Sequence, residues 1–411
     1  AVLLHAAEID AAGAVSDLVI ENLPFLYAGT SEFVDGAEDE LLLHLRLKTA
    51  AELGLNVRRA AFYDAMIDIL TVDGNALAEP LLALDEEDEF NKAVDALMPM
   101  TQQTTLRSTT ALASAVERAI SVRTGVLLVG DTKLNGVSGW WSGTAHAIKV
   151  DADEHGQGID GDLTAITLGA ERMLAPWGIA GAALTTGTSS MLDAADEDRN
   201  TRSDSAIGTL YASFAAGPAF ISGSVGGGYI SNRSERLFEA GGYSLNVEDA
   251  WDSTLTTASA EAGLNVALGK LTVRPSAGLS WLSLSEEAHA EDSGETGFDL
   301  AYDEVDVDLT RAKASLFAAY KGGDRRGLLQ PSLTLTWSEL LDPPNQTVAG
   351  RFVDGAVPFA LTTTPLSQTE ITAAVGLSVV ADGAVVGVSY DATVGDGELS
   401  HGAQLNISVL F

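Results

Sequence analysis

The C-terminal end of the chain constrains the fold more than any other segment. In residues 399–411, apolar side chains occupy every second position except at His401, and small or polar side chains lie between them. A period of two residues places one face of a β-strand against an apolar medium and the other against water. The segment therefore predicts a half-buried strand that ends on the aromatic residue Phe411.

With this composition, the one membrane-spanning fold that the chain could form is a closed β-sheet. No run of about 18 uncharged apolar residues occurs, so a transmembrane helix is excluded. An open sheet would leave backbone polar groups unpaired in lipid, whereas a closed barrel pairs them. Residues 1–11 lack the basic start and apolar core of a signal peptide, so we expect a mature product or the C-terminal part of a longer protein.

Charge and cysteine content exclude several classes of partner and chemistry. The net charge of −35 argues against nucleic-acid binding, because phosphate contacts need clustered Lys and Arg. The absence of cysteine excludes disulfides, thiol catalysis and cysteine-ligated metals. It is compatible with a protein that crosses the periplasm unfolded, but many cytosolic proteins also lack cysteine.

Twelve strand-like runs follow residue 130, and each is long enough to cross a membrane as a tilted strand, which takes about 9–11 residues. An even number of strands suits antiparallel closure into a barrel. The runs are 137–150, 162–174, 177–190, 203–215, 218–232, 251–268, 271–286, 305–320, 328–341, 367–381, 384–394 and 399–411.

The connections between these runs alternate in length. Links after even-numbered runs are short, and links after odd-numbered runs are long, except for 395–398. This asymmetry is typical of outer-membrane barrels, which have short periplasmic turns and long extracellular loops. The predicted long links are 151–161, 191–202, 233–250, 287–304 and 342–366.

Charged residues within the runs mostly share the less apolar face. A basic side chain facing lipid at mid-depth costs about 2–4 kcal/mol, so we expect these residues to line the pore. They are Glu171, Glu261, Arg274, Arg311 and Lys313. The long links are acidic, and 287–304 contains no Lys or Arg. We interpret them as solvated outer surface, with divalent cations at these acidic loops as the alternative.

A weakly amphipathic helix is predicted ahead of the first strand, within residues 97–123. It is too polar for lipid, and a lumen lined by Ser, Thr, Glu and Arg would accommodate it. Four charged side chains are its candidates for pairing with lumen charges such as Glu171 and Glu261: Arg107, Glu117, Arg118 and Arg123. A helix docked on the surface below the barrel is the alternative.

The remaining N-terminal part divides into two predicted units. Residues 1–48 suggest short strands that resemble the last rungs of a β-solenoid, and 49–96 suggest a helical linker. The predicted organisation is therefore a solenoid end (1–48), a linker (49–96), a pore-plugging helix (97–126) and a barrel (127–411). The fold class is all-β, a 12-stranded antiparallel transmembrane β-barrel with an N-terminal helix through its pore.

The order of several short motifs resembles the C-terminal region of a classical autotransporter of type V secretion. The motifs are LKTAAELGLN (47–56), DALMP (95–99), GWWSG (139–143), LGAERML (168–174) and LNISVLF (405–411). The resemblance extends from about residue 16 to residue 411. It implies a bacterial outer-membrane translocator that exports and anchors an N-terminal passenger at the cell surface.

The resemblance also implies partners. They are outer-membrane lipid and lipopolysaccharide, the passenger, and the barrel-assembly machinery, with the strand ending at Phe411 as the assembly signal. Some members of the family cleave the passenger at an Asn-Asn pair in the pore helix, but residues 97–123 contain no Asn. We therefore expect the passenger to stay attached.

No catalytic or metal-binding motif emerges from the sequence. The six histidines are scattered without metal-ligand spacing, and neither a GxSxG motif nor a P-loop occurs. We predict neither enzymatic activity nor a cofactor. Two other functions stay open at this point: a structural or adhesive surface anchor with a plugged barrel, and a small porin-like channel.

Overall fold

The structure is a computed structural model. It describes residues 2–6, 23–34, 39–99, 101–129, 137–153, 156, 158–175, 177–324, 327–343, 347–381 and 384–410. Among the described residues, no helix is both long and apolar enough to cross a membrane.

The N-terminal region contains three strands and four helices. The strands are β1 (Val2–Ala6), β2 (Tyr27–Val34) and β3 (Asp39–Leu47). The helices are α1 (Val57–Leu70), α2 (Ala78–Leu82), α3 (Glu87–Leu97) and α4 (Thr101–Val129). The three strands pair antiparallel in the order β1-β3-β2, which differs from the parallel stacking of solenoid rungs. The assignment of 1–48 to a solenoid end stays a prediction.

From Val137 onward, twelve strands form a closed antiparallel barrel, as predicted. Its strands are β4 (Val137–Val150), β5 (Ile159–Ala175), β6 (Gly178–Asp193), β7 (Asp196–Ala216), β8 (Ala219–Ala240), β9 (Tyr243–Leu264), β11 (Leu271–Glu286), β14 (Val305–Tyr320), β16 (Gly327–Leu340), β19 (Thr369–Ala381), β20 (Ala384–Gly395) and β21 (Glu398–Leu410). Two short strands, β10 (Val266–Leu268) and β15 (Gly322–Asp324), extend the sheet at the short turns.

The last strand closes the barrel on the first. β21 pairs with β4 along its whole length, from Glu398 opposite Val150 to Leu410 opposite Ser138. Closure leaves no unpaired sheet edge in the lipid. Phe411, the predicted assembly signal, lies outside the described residues.

The two faces of the wall follow the predicted alternation. On β16, Leu333, Leu335 and Trp337 are exposed on the outer surface, whereas Thr334 and Thr336, between them in sequence, line the interior. Similar exposed apolar side chains occur on the other strands of the barrel. This outer face is the one that meets lipid, because apolar groups are stable there and polar groups are not.

The predicted links 191–202 and 233–250 are wrong, because most of their residues continue the strands. β7, β8 and β9 extend outward well beyond the predicted runs. At the outer end, only Ala194–Ala195 lie between β6 and β7, and only Gly241–Gly242 lie between β8 and β9. The outer face of these extensions is polar, so the apolar alternation is lost there. Their inner face is buried, however: Phe238 and Val247 belong to an apolar core.

That core is shared between the linker helices and the long extracellular links. Within 287–304 and 342–366, four short strands form a separate sheet in the order β12-β13-β17-β18: β12 (His289–Ala290), β13 (Leu300–Tyr302), β17 (Thr347–Phe352) and β18 (Pro358–Thr362). Phe62 of α1 packs against Phe352 and Phe359 of this sheet, with ring centroids 5.4 and 5.1 Å apart. We call α1–α3 and this sheet the cap. These two links are therefore only partly the solvated surface expected from their charge.

Candidate functional site in the barrel lumen

Helix α4 lies inside the barrel and packs against one side of its wall. Its apolar side chains Leu106, Leu112, Val116 and Ile120 are buried in one cluster with inward-facing residues of the wall. Gly187 of β6 provides room for this contact, because a Cβ at that position would lie 2.9 Å from the Leu112 side chain. The small residues of α4 allow the helix to approach the wall closely.

Arg123 anchors α4 to the wall at the periplasmic end of the pore. Its guanidinium forms an ion pair with Glu171 of β5 and donates to the hydroxyls of Ser138 and Ser408, each at 2.7 Å. Glu171 also accepts a hydrogen bond of 2.8 Å from the Tyr211 hydroxyl. Arg123 and Glu171 are 7% and 4% exposed, so each charge depends on these partners for its stability.

Two further charged residues of α4 contact the opposite wall at mid-height. Glu117 forms an ion pair with Lys313 of β14. Arg118 lies 3.0 Å from His146 Nε2 and 3.6 Å from a carboxylate oxygen of Asp391. These contacts connect the helix to β4, β14 and β20.

Arg107 fixes the extracellular end. Its Nη1 lies 2.5 Å from Glu398, and its Nη2 donates to the carbonyls of Thr364 and Pro365 at 3.1 and 3.0 Å. Glu398 begins the final strand, and Thr364 and Pro365 belong to the link before β19. All four predicted helix residues therefore face the wall, at successive heights along the pore.

The predicted pore-lining residues all lie on the inner side of the wall, but not all contact the helix. Glu171 and Lys313 pair with α4. Arg311 instead pairs with Glu370 at 2.8 Å, and Arg274 lies between the rings of Phe220 and Phe317. Glu261 forms no ion pair within the described part of the chain.

A cavity of about 340 Å³ lies between α4 and the wall that faces its polar side. Glu261, Arg274, Arg311 and Lys313 line it, together with Ser114 of the helix. Many of the other lining residues carry hydroxyl or amide groups, among them Thr334, Thr372, Ser389 and Asn406, and others are apolar, such as Ile148 and Phe317. The helix therefore fills part of the pore and leaves a space beside itself that is lined by charged, hydroxyl-bearing and apolar side chains.

Four residues that support the plug helix were not predicted from the sequence: Asp391, Glu398 and His146, which contact the helix, and Tyr211, which binds Glu171. Each occupies an inward-facing strand position or a strand end. The signal that would have found them was strand parity, since Asp391 and His146 share the inward face with their polar neighbours in sequence. Which acid meets which arginine depends on the barrel's register, and the sequence does not state it.

No group of three or more His, Asp or Glu residues that would hold a metal ion occurs among the described residues. The cap does contain a buried histidine that carries charge. His289 stacks between Trp251 and Tyr302, with centroids 4.6 and 4.7 Å away, and its Nδ1 lies 2.7 Å from Asp249. Burial lowers the pKa of His289, but its contacts with Asp249 and Glu286 outweigh burial and raise the pKa from 6.5 to about 9.

We predict that the cap loses stability in alkaline solution. A raised pKa in the folded state stabilises the cap fully below pH 6.5, and this contribution is lost as pH rises through about 9. Hydrogen exchange of the cap amides should therefore accelerate over this interval, beyond the intrinsic chemical effect of pH. In His289→Gln, the exchange rates of the cap amides, corrected for the intrinsic effect of pH, should change little over this interval. An equal pH dependence of the corrected rates in both proteins would contradict the prediction.

Comparison with known proteins agrees with this architecture. The family model described as the autotransporter beta-domain matches residues 139–391. No match was found among the curated proteins.

Solved structures similar to the chain include three domains of autotransporters. The translocator domain of the autotransporter NalP from Neisseria meningitidis is 18% identical, with a TM-score of 0.59 over 74% of this chain and 98% of that one. The beta domain of the Bordetella autotransporter BrkA is 15% identical, with a TM-score of 0.51 over 67% and 100%. The transport unit of AIDA-I from Escherichia coli is 13% identical, with a TM-score of 0.50 over 71% and 98%. At these identities the likeness shows the fold.

Proposed function

The chain belongs to the autotransporter family and is an outer-membrane translocator for passenger export, and on this premise we propose that α4 stays in the pore and anchors the passenger at the cell surface. The observation that supports the proposal is the matching of charges along the helix. Arg107, Glu117, Arg118 and Arg123 each lie beside an oppositely charged wall residue.

This matching favours one position of the helix along the pore. A shift of one helical turn, about 5.4 Å, would separate all of these pairs at once. The most buried of them, Arg123 with Glu171, would be left as uncompensated charges. The absence of Asn from residues 97–123 supports retention of the passenger, because the Asn-Asn cleavage site of the family is missing there.

Cysteine labelling at Ser114 tests the plug directly, since the chain has no cysteine of its own. Ser114→Cys should resist a bulky, membrane-impermeant maleimide from both sides of the membrane in the intact protein. It should react after the helix has been freed by unfolding. Ready labelling from both sides of an intact barrel would refute the plug.

A small channel is the second candidate, and the cavity beside α4 favours it. A space of this kind would admit water and small ions if it were continuous through the barrel. The two functions differ in conductance, which a planar bilayer measures. The plug predicts a nearly closed barrel, and the channel predicts steady conductance with the helix in place.

We also propose the following partners. The barrel-assembly machinery would recognise the end of β21 with Phe411, and outer-membrane lipid and lipopolysaccharide would surround the exposed apolar wall. Divalent cations would bind the acidic extracellular links. Catalysis is not part of the proposed function.

A further inference from the structure

Two arginines on the extended parts of β7 and β8 are almost completely buried under the cap. Arg199 is 1% exposed and Arg236 is 4% exposed. Arg199 pairs with Asp193 at 3.3 Å, and Arg236 forms a two-pronged contact with Glu291 at 2.6 and 3.0 Å. Each arginine has further donors beyond its carboxylate partner.

Those donors reach the C-terminus of α3. Arg236 donates to the Ala96 carbonyl at 3.2 Å, and Arg199 donates to the Met98 carbonyl. The last carbonyls of a helix have no partner within the helix and carry its negative dipole end, which favours a nearby cation. The last turn of α3 contains no basic residue of its own. The barrel therefore supplies two cations to this helix end, and Arg58 of α1, which donates to the Pro99 carbonyl at 3.2 Å, supplies a third.

The surfaces around this contact fit closely. Gly241, in the turn between β8 and β9, lies so near Pro80 that a Cβ on it would be 2.8 Å from the Pro80 carbonyl oxygen. Gly241 has φ +56°, so both its conformation and the close approach favour glycine. The Ala76 amide donates to the Thr296 carbonyl at 3.1 Å, which joins the linker to the extracellular link.

The linker helices also depend on the barrel for their core. Their buried residues form one cluster with Phe238, Val247, Phe298 and Phe352 from the barrel and its links. Without these partners, α1–α3 would expose much of their apolar surface to water. Docking on the mouth of the barrel therefore stabilises these helices by burying that surface.

We propose that Arg199 and Arg236 form a binding site for the C-terminus of α3, and that its occupation ends export by holding residues 57–99 outside the barrel. The inference rests on the proposed function, because it assumes that α3 has emerged from the pore before it docks. Its ligand is a set of backbone carbonyls at a helix end. The site acts outside the membrane and independently of the charge pairs of α4.

Two cysteine reporters in the full-length chain separate the cap from the plug. Ala93→Cys, in the buried core of α3, reports opening of the cap, and Ser114→Cys reports the plug. Each is combined with R199Q/R236Q and labelled with an impermeant maleimide. The matched control is R202Q/R233Q, which removes two exposed arginines from the same strands, where neither forms an ion pair among the described residues.

R199Q/R236Q should accelerate labelling at position 93 on the order of tenfold or more, because charged hydrogen bonds that hold the cap are lost. The control should label at the rate of the unaltered chain, and position 114 should stay protected in all three proteins. If R199Q/R236Q does not reach the folded barrel, the single variant R236Q gives the same readout, because it removes the two-pronged contact with Glu291 and the hydrogen bond to the Ala96 carbonyl.

Unchanged labelling at position 93 in R199Q/R236Q or R236Q, with position 114 protected, would overturn the binding site and leave the proposed function intact. Rapid labelling at position 114 in the chain with unaltered arginines would contradict the proposed function instead. Acceleration at position 93 in the control as well as in R199Q/R236Q would also overturn the site, because loss of charge would then explain the effect.

Discussion

Removal of residues 1–126 is expected to convert a nearly closed barrel into an open pore. The deletion takes away the described face of α4 that fills the lumen, including all four charged residues that pair with the wall. A barrel of twelve strands with a polar interior then contains a continuous column of water. We expect single-channel conductance in a planar bilayer to rise by on the order of tenfold or more.

Removal of residues 1–96 is the matched control. It deletes the linker and the N-terminal strands but keeps α4 (Thr101–Val129). This shorter chain should conduct nearly as little as the full-length protein. Equal, high conductance in both deletions would show that the helix is not the barrier, and equal, low conductance would place the barrier in the wall or the links.

Substitution of Arg123 by Met should destabilise the seated helix more than any other single change in α4. The change leaves Glu171, 4% exposed, without its cationic partner. Removal of one partner from a buried ion pair typically costs about 3–5 kcal/mol. We expect labelling of Ser114→Cys to accelerate by on the order of a hundredfold or more, because each 1.4 kcal/mol corresponds to about tenfold.

Two related variants test whether the unpaired charge of Glu171 causes the faster labelling. Arg118 is more exposed and lies 3.6 Å from Asp391, so Arg118→Met should have a much smaller effect. Arg123→Met combined with Glu171→Gln removes the uncompensated charge and should recover part of the protection. No difference between Arg123→Met and Arg118→Met would contradict the assignment of Arg123 as the main contact.

The barrel could be predicted because the membrane imposes strong rules on a simple period. Residues such as Leu333, Leu335 and Trp337 alternate with hydroxyl-bearing residues, and the lipid requires that every strand show such a face. The same rules placed the charges of the wall on the inner side. The predicted strand ends agree best with the observed ones where lipid contact defines them, as in Val137–Val150 and Leu271–Glu286.

The extensions of β7–β9 and the cap could not be predicted in the same way. Above the lipid, water solvates polar side chains on the outer face of a strand, so the apolar period disappears although the hydrogen-bond ladder continues. Residues such as Phe238 and Phe298 are buried only because distant segments meet over the mouth of the barrel. The sequence of the acidic links does not indicate these contacts. Glu291, for example, was interpreted as solvated surface, although it forms an ion pair with Arg236.

The pairing of the plug helix illustrates an intermediate case. The sequence indicated which residues of α4 and of the wall carry charge, and it proposed pairing with Glu171 and Glu261. Arg123 forms an ion pair with Glu171 in the structure, whereas Glu261 lines the cavity. The height of each wall residue depends on the stagger between twelve strands, which no local pattern in the chain encodes.

A crosslink across the lumen in intact cells tests the central claim, that α4 occupies the pore of the exported protein. Glu117→Cys and Lys313→Cys replace two side chains that contact each other inside the barrel. A short bis-maleimide should join most molecules of this variant, and should join few in the control with Glu117→Cys and Lys149→Cys, since Lys149 is exposed on β4. Equal linkage in the two variants would contradict a helix seated in the pore.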